Sequence, residues 1–157
     1  MTVELNGTVA EVISEDPLVI KNQKDWYHSH SYGGWGRFFS GLREGKLLAT
    51  RCTNPSCFEK RMWLPPRCDC PDCWHRMAWV EAPTTGRIFS FTTVLYPGAP
   101  FRLGPGTPLI SVEIDGVCTK MMSYLKTGQP KIGLPVRAVF NREKPTNTIL
   151  DLAWVPA

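Results

Sequence analysis

Between Ile110 and Asp115 apolar and polar residues alternate, with Ile110, Val112 and Ile114 set against Ser111, Glu113 and Asp115. A period of two places each set on its own face of an extended chain, so this stretch reads as a half-buried strand. Asp115-Gly116 then predicts a tight hairpin into Val117–Tyr124. Gly86–Tyr96 is rich in β-branched and aromatic residues, and Pro135–Asn141 and Ile149–Val155 supply two more strands. The last of these carries Leu150, Leu152 and Trp154 on one face. Five short strands with turn residues between them predict a small closed β-barrel over residues 79–157.

Upstream the period changes. Trp35, Phe38, Phe39 and Leu42 stand at i, i+3, i+4 and i+7, one stripe of a helix. Gly36 and Gly41 weaken that helix by about 1 kcal/mol each, and Gly45 suits its C-terminal cap. A short helix with four large apolar side chains needs a surface to pack on, in this chain or in another subunit. Residues 1–24 read as weakly structured or strand-like. His28 and His30 lack a third ligand that would make them a metal site. Residues 97–108, PGAPFRLGPGTP, form a long loop with Phe101, Arg102 and Leu103 at its centre. Such a loop is either functional or a plug under the barrel.

Cysteine spacing supplies the chemistry. Cys52 and Cys57 are separated by four residues, Cys70 and Cys73 by two, and a hairpin-length spacer joins the pairs. Two close pairs of this kind can bring four thiolates into a tetrahedron around zinc. Cys68-x-Cys70 is too cramped for a knuckle turn, so Cys52, Cys57, Cys70 and Cys73 are the expected metal ligands and Cys68 stands outside. Four protein ligands leave no position for water or substrate, which makes the expected zinc structural. The intervening hairpin is too short for a core of its own, so metal affinity is expected to be folding energy. Lys46–Arg51 reads as the strand entering this module and Arg61–Leu64 as the return. Trp63, Trp74 and Trp79 are expected to cover it.

Composition and charge narrow the classes. The chain is 43% apolar and 20% charged, as in folded soluble proteins. No apolar run is long enough to cross a membrane, and the N-terminus lacks the basic-then-apolar pattern of a signal peptide. A cytoplasmic location follows as an expectation, and it favours metal over disulfides. Four thiolates and one zinc ion would bring the formal charge of +4 to about +2. Residues 79–157 hold eight Lys and Arg against five Asp and Glu, scattered along the sequence. A basic groove for nucleic acid is therefore not expected.

Several motifs occur in a familiar order: Phe38-Phe39, Gly45-Lys46-Leu47-Leu48, Arg51-Cys52, Pro65-Pro66-Arg67, Cys70-Pro71-Asp72-Cys73 and Trp79-Val80-Glu81, then Gly86–Thr92, Ile110–Gly116 and Ile132–Val136. Together they resemble the acyl-CoA-associated zinc-ribbon/OB-fold family over residues 35–157. The resemblance implies a mainly β protein with an N-terminal extension and helical hairpin (1–45), a rubredoxin-like zinc ribbon (46–78) and a five-stranded OB-fold barrel (79–157). It also implies a partner, typically a thiolase-fold catalytic subunit and otherwise an acyl-CoA hydratase or aldolase. The extension DWYHSHSYGGWGRFF is most similar to that of the small subunit of benzoylsuccinyl-CoA-type thiolases. The four-residue gap between Cys52 and Cys57 and the extra Cys68 depart from the family pattern without removing a ligand.

A thiolase needs a nucleophilic cysteine paired with a histidine base. Cys118, the one cysteine outside the zinc region, has no recognisable histidine pairing and reads as a small apolar side chain in a strand. The expectation is a noncatalytic subunit of a hetero-oligomeric complex that takes CoA or acyl-CoA as its ligand. The reaction of that complex would be thiolytic cleavage of a 3-oxoacyl-CoA, or the reverse condensation. Trp35, Phe38, Phe39, Phe101, Arg102 and Leu103 are the candidate contacts with the partner or with acyl-CoA. The competing readings are a zinc-ribbon/OB nucleic-acid-binding module and a freestanding acyl-CoA carrier.

Overall fold

β-Branched residues and alternating polarity make strands the dominant regular structure among the described residues. The computed structural model describes residues 2–5, 8–22, 29, 31–96 and 103–157, which fall into two units, 1–31 and 32–157. The first unit is an antiparallel meander of β1 (Thr2–Leu5), β2 (Thr8–Glu15) and β3 (Leu18–Asn22), with Val12 opposite Ile20 and a register shift between Val12 and Ser14. The described residues between 2 and 22 are thus mostly strand, and the described part of 1–45 also holds one α-helix. The Val- and Ile-rich run explains the outcome, since stiff branched side chains favour the pleated backbone.

The second unit opens with a 3-10 turn (Gly33–Trp35) and helix α1 (Gly36–Glu44). Gly45 ends the helix in the left-handed conformation, at φ 78°. β4 (Leu48–Arg51), β5 (Met62–Trp63) and β6 (Ala78–Glu81) form the ribbon sheet, ordered β5-β4-β6 and antiparallel throughout. β7 (Thr85–Thr93), β8 (Pro108–Glu113), β9 (Lys120–Leu125), β10 (Pro135–Phe140) and β11 (Leu152–Pro156) close a barrel in the order β10-β11-β9-β8-β7. β7 pairs back onto β10, and β9 with β11 is the parallel pair, which is the arrangement of an OB-fold. A register shift between Ile88 and Ser90 lets the long β7 serve both neighbours. At Gly86 the strands approach so closely that a Cβ would fall 2.7 Å from Val112 Cγ1 and closer still to the Glu113 carbonyl oxygen.

Ile110, Val112 and Ile114 are buried together, as their alternation predicts, with Ile88, Met121, Val136, Leu152 and Trp154. Phe38 and Leu42 of α1 and Leu47, Ala49, Met62 and Leu64 of the ribbon belong to the same core cluster. Helix, ribbon and barrel thus share one interior. A short seam joins ribbon to barrel: Met62 bridges Val117, and the Cys118 amide donates to the Met62 carbonyl at 2.9 Å. The Leu64 amide donates to Thr119 Oγ1 at 3.2 Å, and that hydroxyl donates back to the Leu64 carbonyl at 2.6 Å.

The helical stripe docks on its own chain. Phe38 and Leu42 are buried, while Phe39 is half-buried and stacks on Tyr32 with ring centroids 4.0 Å apart. Tyr32 donates its hydroxyl to the Asn147 carbonyl at 2.8 Å, tying this segment to the loop between β10 and β11. Trp35 lies in the 3-10 turn and remains exposed.

Candidate metal centre

Two turns build the site. β4 ends at Arg51, and Cys52 follows as the first residue of a loop that returns through β5. Asn54 shapes that loop: its side chain accepts from the Ser56 amide at 3.0 Å and its carbonyl from the Cys57 amide at 3.1 Å. The second turn is a small hairpin in which Asp69 bridges Arg76, the Cys70 amide donates to the His75 carbonyl, and the Met77 amide donates to the Cys68 carbonyl. The Trp74 amide closes it onto the Cys70 carbonyl at 2.7 Å.

The two turns bring the Sγ atoms of Cys52, Cys57, Cys70 and Cys73 within 4.8 Å of one another. Sulfurs about 2.3 Å from a tetrahedral zinc lie about 3.8 Å from each other. The Cys52–Cys73 and Cys57–Cys70 separations of 3.6 and 4.0 Å bracket that edge. The donors around the sulfurs also fit a metal centre. The Asn54 amide points at Cys52, those of Asp72 and Cys73 at Cys70, and that of His75 at Cys73. Amides aimed at sulfur favour the thiolate, the form that binds metal. The His75 amide holds Cys73 down to about 7, whereas burial pushes Cys52 up to about 12 and raises Cys70. A cation set between sulfurs held in this way would favour their thiolate forms. The residues present therefore fit a closed four-thiolate metal site with zinc as the matching ion.

Cys68 stays outside the cluster, half-buried beneath the turn at Gly34, where a Cβ would come within 3.1 Å of its sulfur. Cys118 departs from its sequence reading. It sits before β9 and not in a strand, and its side chain is exposed. Its place in the seam explains this, because the chain there spends its backbone on Met62 and turns the side chain outward. Among the three tryptophans expected to cover the module, Trp63 and Trp79 are half-buried, but Trp74 is 81% exposed and covers nothing. Phe58, directly after Cys57, is 96% exposed. Trp74 also has φ 59°, a region that costs a non-glycine residue roughly 1–2 kcal/mol.

Of the candidate contacts, Phe101 and Arg102 lie outside the described residues, as do His28 and His30. Leu103 is partly exposed, and Phe38, at 3% exposure, serves the core and has no surface left to offer. Exposed Leu95 and Tyr96 lead from β7 toward the loop. Sequence reasoning missed Asp151, which is buried on the 3-10 turn before β11. Its carboxylate accepts from the amides of Thr146 and Asn147 at 2.7 and 2.8 Å, from the Thr146 hydroxyl and from the Asn141 side chain, pinning the β10–β11 loop.

Residues 79–141 match the model of the ChsH2 C-terminal OB-fold domain. No curated protein matches the chain. A solved structure titled as the Ltp2-ChsH2(DUF35) aldolase aligns with a TM-score of 0.61 and 24% identity, covering 84% of this chain and 98% of that one. A DUF35 family protein of unknown function from Sulfolobus solfataricus aligns with a TM-score of 0.55 and 18% identity, covering 77% of this chain and 83% of its own. At these identities the two structures establish a shared fold. Residues 79–141 thus match the ChsH2 OB-fold domain, and the chain as a whole shares its fold with these two proteins.

Proposed function

We propose that this chain is a noncatalytic, zinc-binding accessory subunit of an acyl-CoA-processing complex whose active site lies on a partner. The observation that carries the reading is a ChsH2-type barrel fused to a four-cysteine ribbon in one shared core. Cys52, Cys57, Cys70 and Cys73 would hold the zinc, which supplies rigidity at the ribbon turns. Four thiolates leave it no position for substrate, so catalysis falls to another chain. Trp35, Phe39 and Leu103, with Phe101 and Arg102, are the proposed contacts to the partner or to its acyl-CoA.

The reaction we assign is thiolytic cleavage of a 3-oxoacyl-CoA by a thiolase-fold partner. The CoA thiol adds to the 3-oxo carbonyl, the bond between C2 and C3 breaks, and acetyl-CoA or a substituted analogue leaves after protonation at C2. The resemblance of the N-terminal extension supports an aromatic acyl group such as benzoylsuccinyl. A second reading has support of its own: the aligned ChsH2 chain belongs to an aldolase, so a retro-aldol cleavage is the alternative chemistry. Co-expression with the acyl-CoA enzyme encoded beside this chain tests both. The expected result is a co-purifying hetero-oligomer that consumes free CoA in proportion to substrate, with no turnover by the chain alone. Release of an aldehyde or ketone without CoA consumption selects the aldolase reading, and turnover by the isolated 157-residue chain refutes the accessory role.

A further inference from the structure

Phe58 and Trp74 occupy equivalent places, each immediately after the second cysteine of its pair, and both are almost fully exposed. Neither packs as core of the ribbon, whose small cluster is Cys52, Cys57, Cys70 and Met77 with half-buried Trp63 and Cys73 against it. Trp74 is unusual on a second, independent count. The turn that delivers Cys73 to the cluster closes through the Trp74 amide and holds that residue at φ 59°. Glycine meets such a φ without steric cost, and a bulky side chain there is an outlier. The chain thus keeps an indole where its fold asks for glycine, and the fold does not bury the indole. Backbone strain of this kind clusters at binding sites, and tryptophan is among the residues enriched at interface hot spots.

We propose that Phe58 and Trp74 are a two-pronged anchor by which the ribbon tip seats in an apolar recess of the catalytic subunit; this rests on the accessory-subunit reading above. The metal would fix both turns, so the prongs are presented without an ordering cost on binding. Protruding aromatics need a recess, and this chain offers a poor one to a second copy. Two cavities among the described residues, of about 680 and 350 Å³, carry charged rims, with Lys126, Arg142 and Glu143 at one and Arg37, Glu44 and Lys46 at the other. Charge around the tip also bears on the partner. Glu59 pairs with Arg61 at 2.9 Å and Asp69 with Arg76 at 3.6 Å, which leaves Lys60 and Arg67 against Asp72. Four thiolates around a zinc ion add about −2 at the same tip, so it carries little net charge and the recess has an uncharged rim.

The test uses the full chain and the co-expressed catalytic subunit, with Kd, zinc content and Tm measured for wild type, Phe58→Ser, Trp74→Gly and Trp74→Asn. Trp74→Gly relieves the backbone while removing the indole, and Asn is a polar residue that tolerates the same φ. The expected result is full zinc content and a Tm at or above wild type for Trp74→Gly. Its Kd for the catalytic subunit should rise by about 30-fold or more, with a smaller loss for Phe58→Ser. Wild-type affinity in both Trp74 variants overturns the anchor, and so does loss of zinc or of Tm in both, which would make the indole structural. Self-association of the wild-type chain that Trp74→Gly abolishes assigns the prongs to a second copy and also overturns it. If wild type itself does not bind the catalytic subunit, the accessory reading fails and takes the anchor with it, a result distinct from any seen in the variants.

Discussion

Removing the metal should loosen the barrel as well as the ribbon. The ribbon's own cluster is too small to hold two turns, so without zinc residues 52–77 lose their order. The seam decides how far that loss travels. Leu64 is fully buried and Met62 nearly so, in the interior shared with the barrel. Burying two side chains of this size contributes about 4 kcal/mol. The three seam hydrogen bonds add about 1 kcal/mol each. Even discounted for a compact unfolded state, the coupling is on the order of 5 kcal/mol, comparable with the roughly 5–15 kcal/mol that holds a whole domain. Hydrogen exchange with and without a chelator is the assay. Peptides covering β8 and β9 should lose protection together with those covering 52–77. A deprotected ribbon beside fully protected β8 and β9 would refute the reasoning and make the two parts independent.

Gly86→Ala should destabilise the second unit by about 3 kcal/mol or more, because its Cβ would meet the backbone of β8, which cannot rotate away; a denaturant melt with an unchanged midpoint refutes this. Asp151→Ala should cost about 2–4 kcal/mol by leaving the Thr146 and Asn147 amides without their acceptor, and should raise exchange in residues 141–148 before it affects β8. Tyr124 should titrate above the ordinary tyrosine value, since burial, and then the Asp151 charge, disfavour the phenolate. The folded state prefers the neutral phenol, so this contribution to stability is full below the unfolded tyrosine pKa and is lost as pH rises through the folded one. Absorbance at alkaline pH reads that shift, and Tyr124→Phe should remove it.

Much of this architecture was legible because burial follows periodicity. Ile110, Val112 and Ile114 alternate and are buried, and Asp115-Gly116 turns where a left-handed glycine is required, at φ 75°. The four sulfurs were legible from spacing alone. What escaped was whatever depends on a partner distant in sequence. Asp151 looks like any acidic residue before a strand until a loop from 141 to 148 folds over it. Cys118 reads as a strand cysteine until Met62 draws its backbone into the seam. Trp74 reads as cover for the ribbon because hydrophobicity says nothing about φ, and the turn that displays it outward is set by the geometry of the neighbouring cysteines.

The energies at the ribbon tip explain how such a display is tolerated. A left-handed tryptophan costs roughly 1–2 kcal/mol, and in a turn held by hydrogen bonds alone that cost would be felt as fraying. A tetrathiolate zinc site contributes about 10–16 kcal/mol to the folded state of a small peptide. Against that reserve the strain is minor, so the turn can carry a residue chosen for what it touches outside the chain. The same reserve fixes where the tip points, because the ribbon is joined to the barrel through Met62 and Leu64. A partner gripping Phe58 and Trp74 would thereby also fix the orientation of the barrel. In that arrangement the metal acts on the reaction only through position, and a Trp74→Gly complex should show a raised KM with kcat largely retained once the partner is saturated.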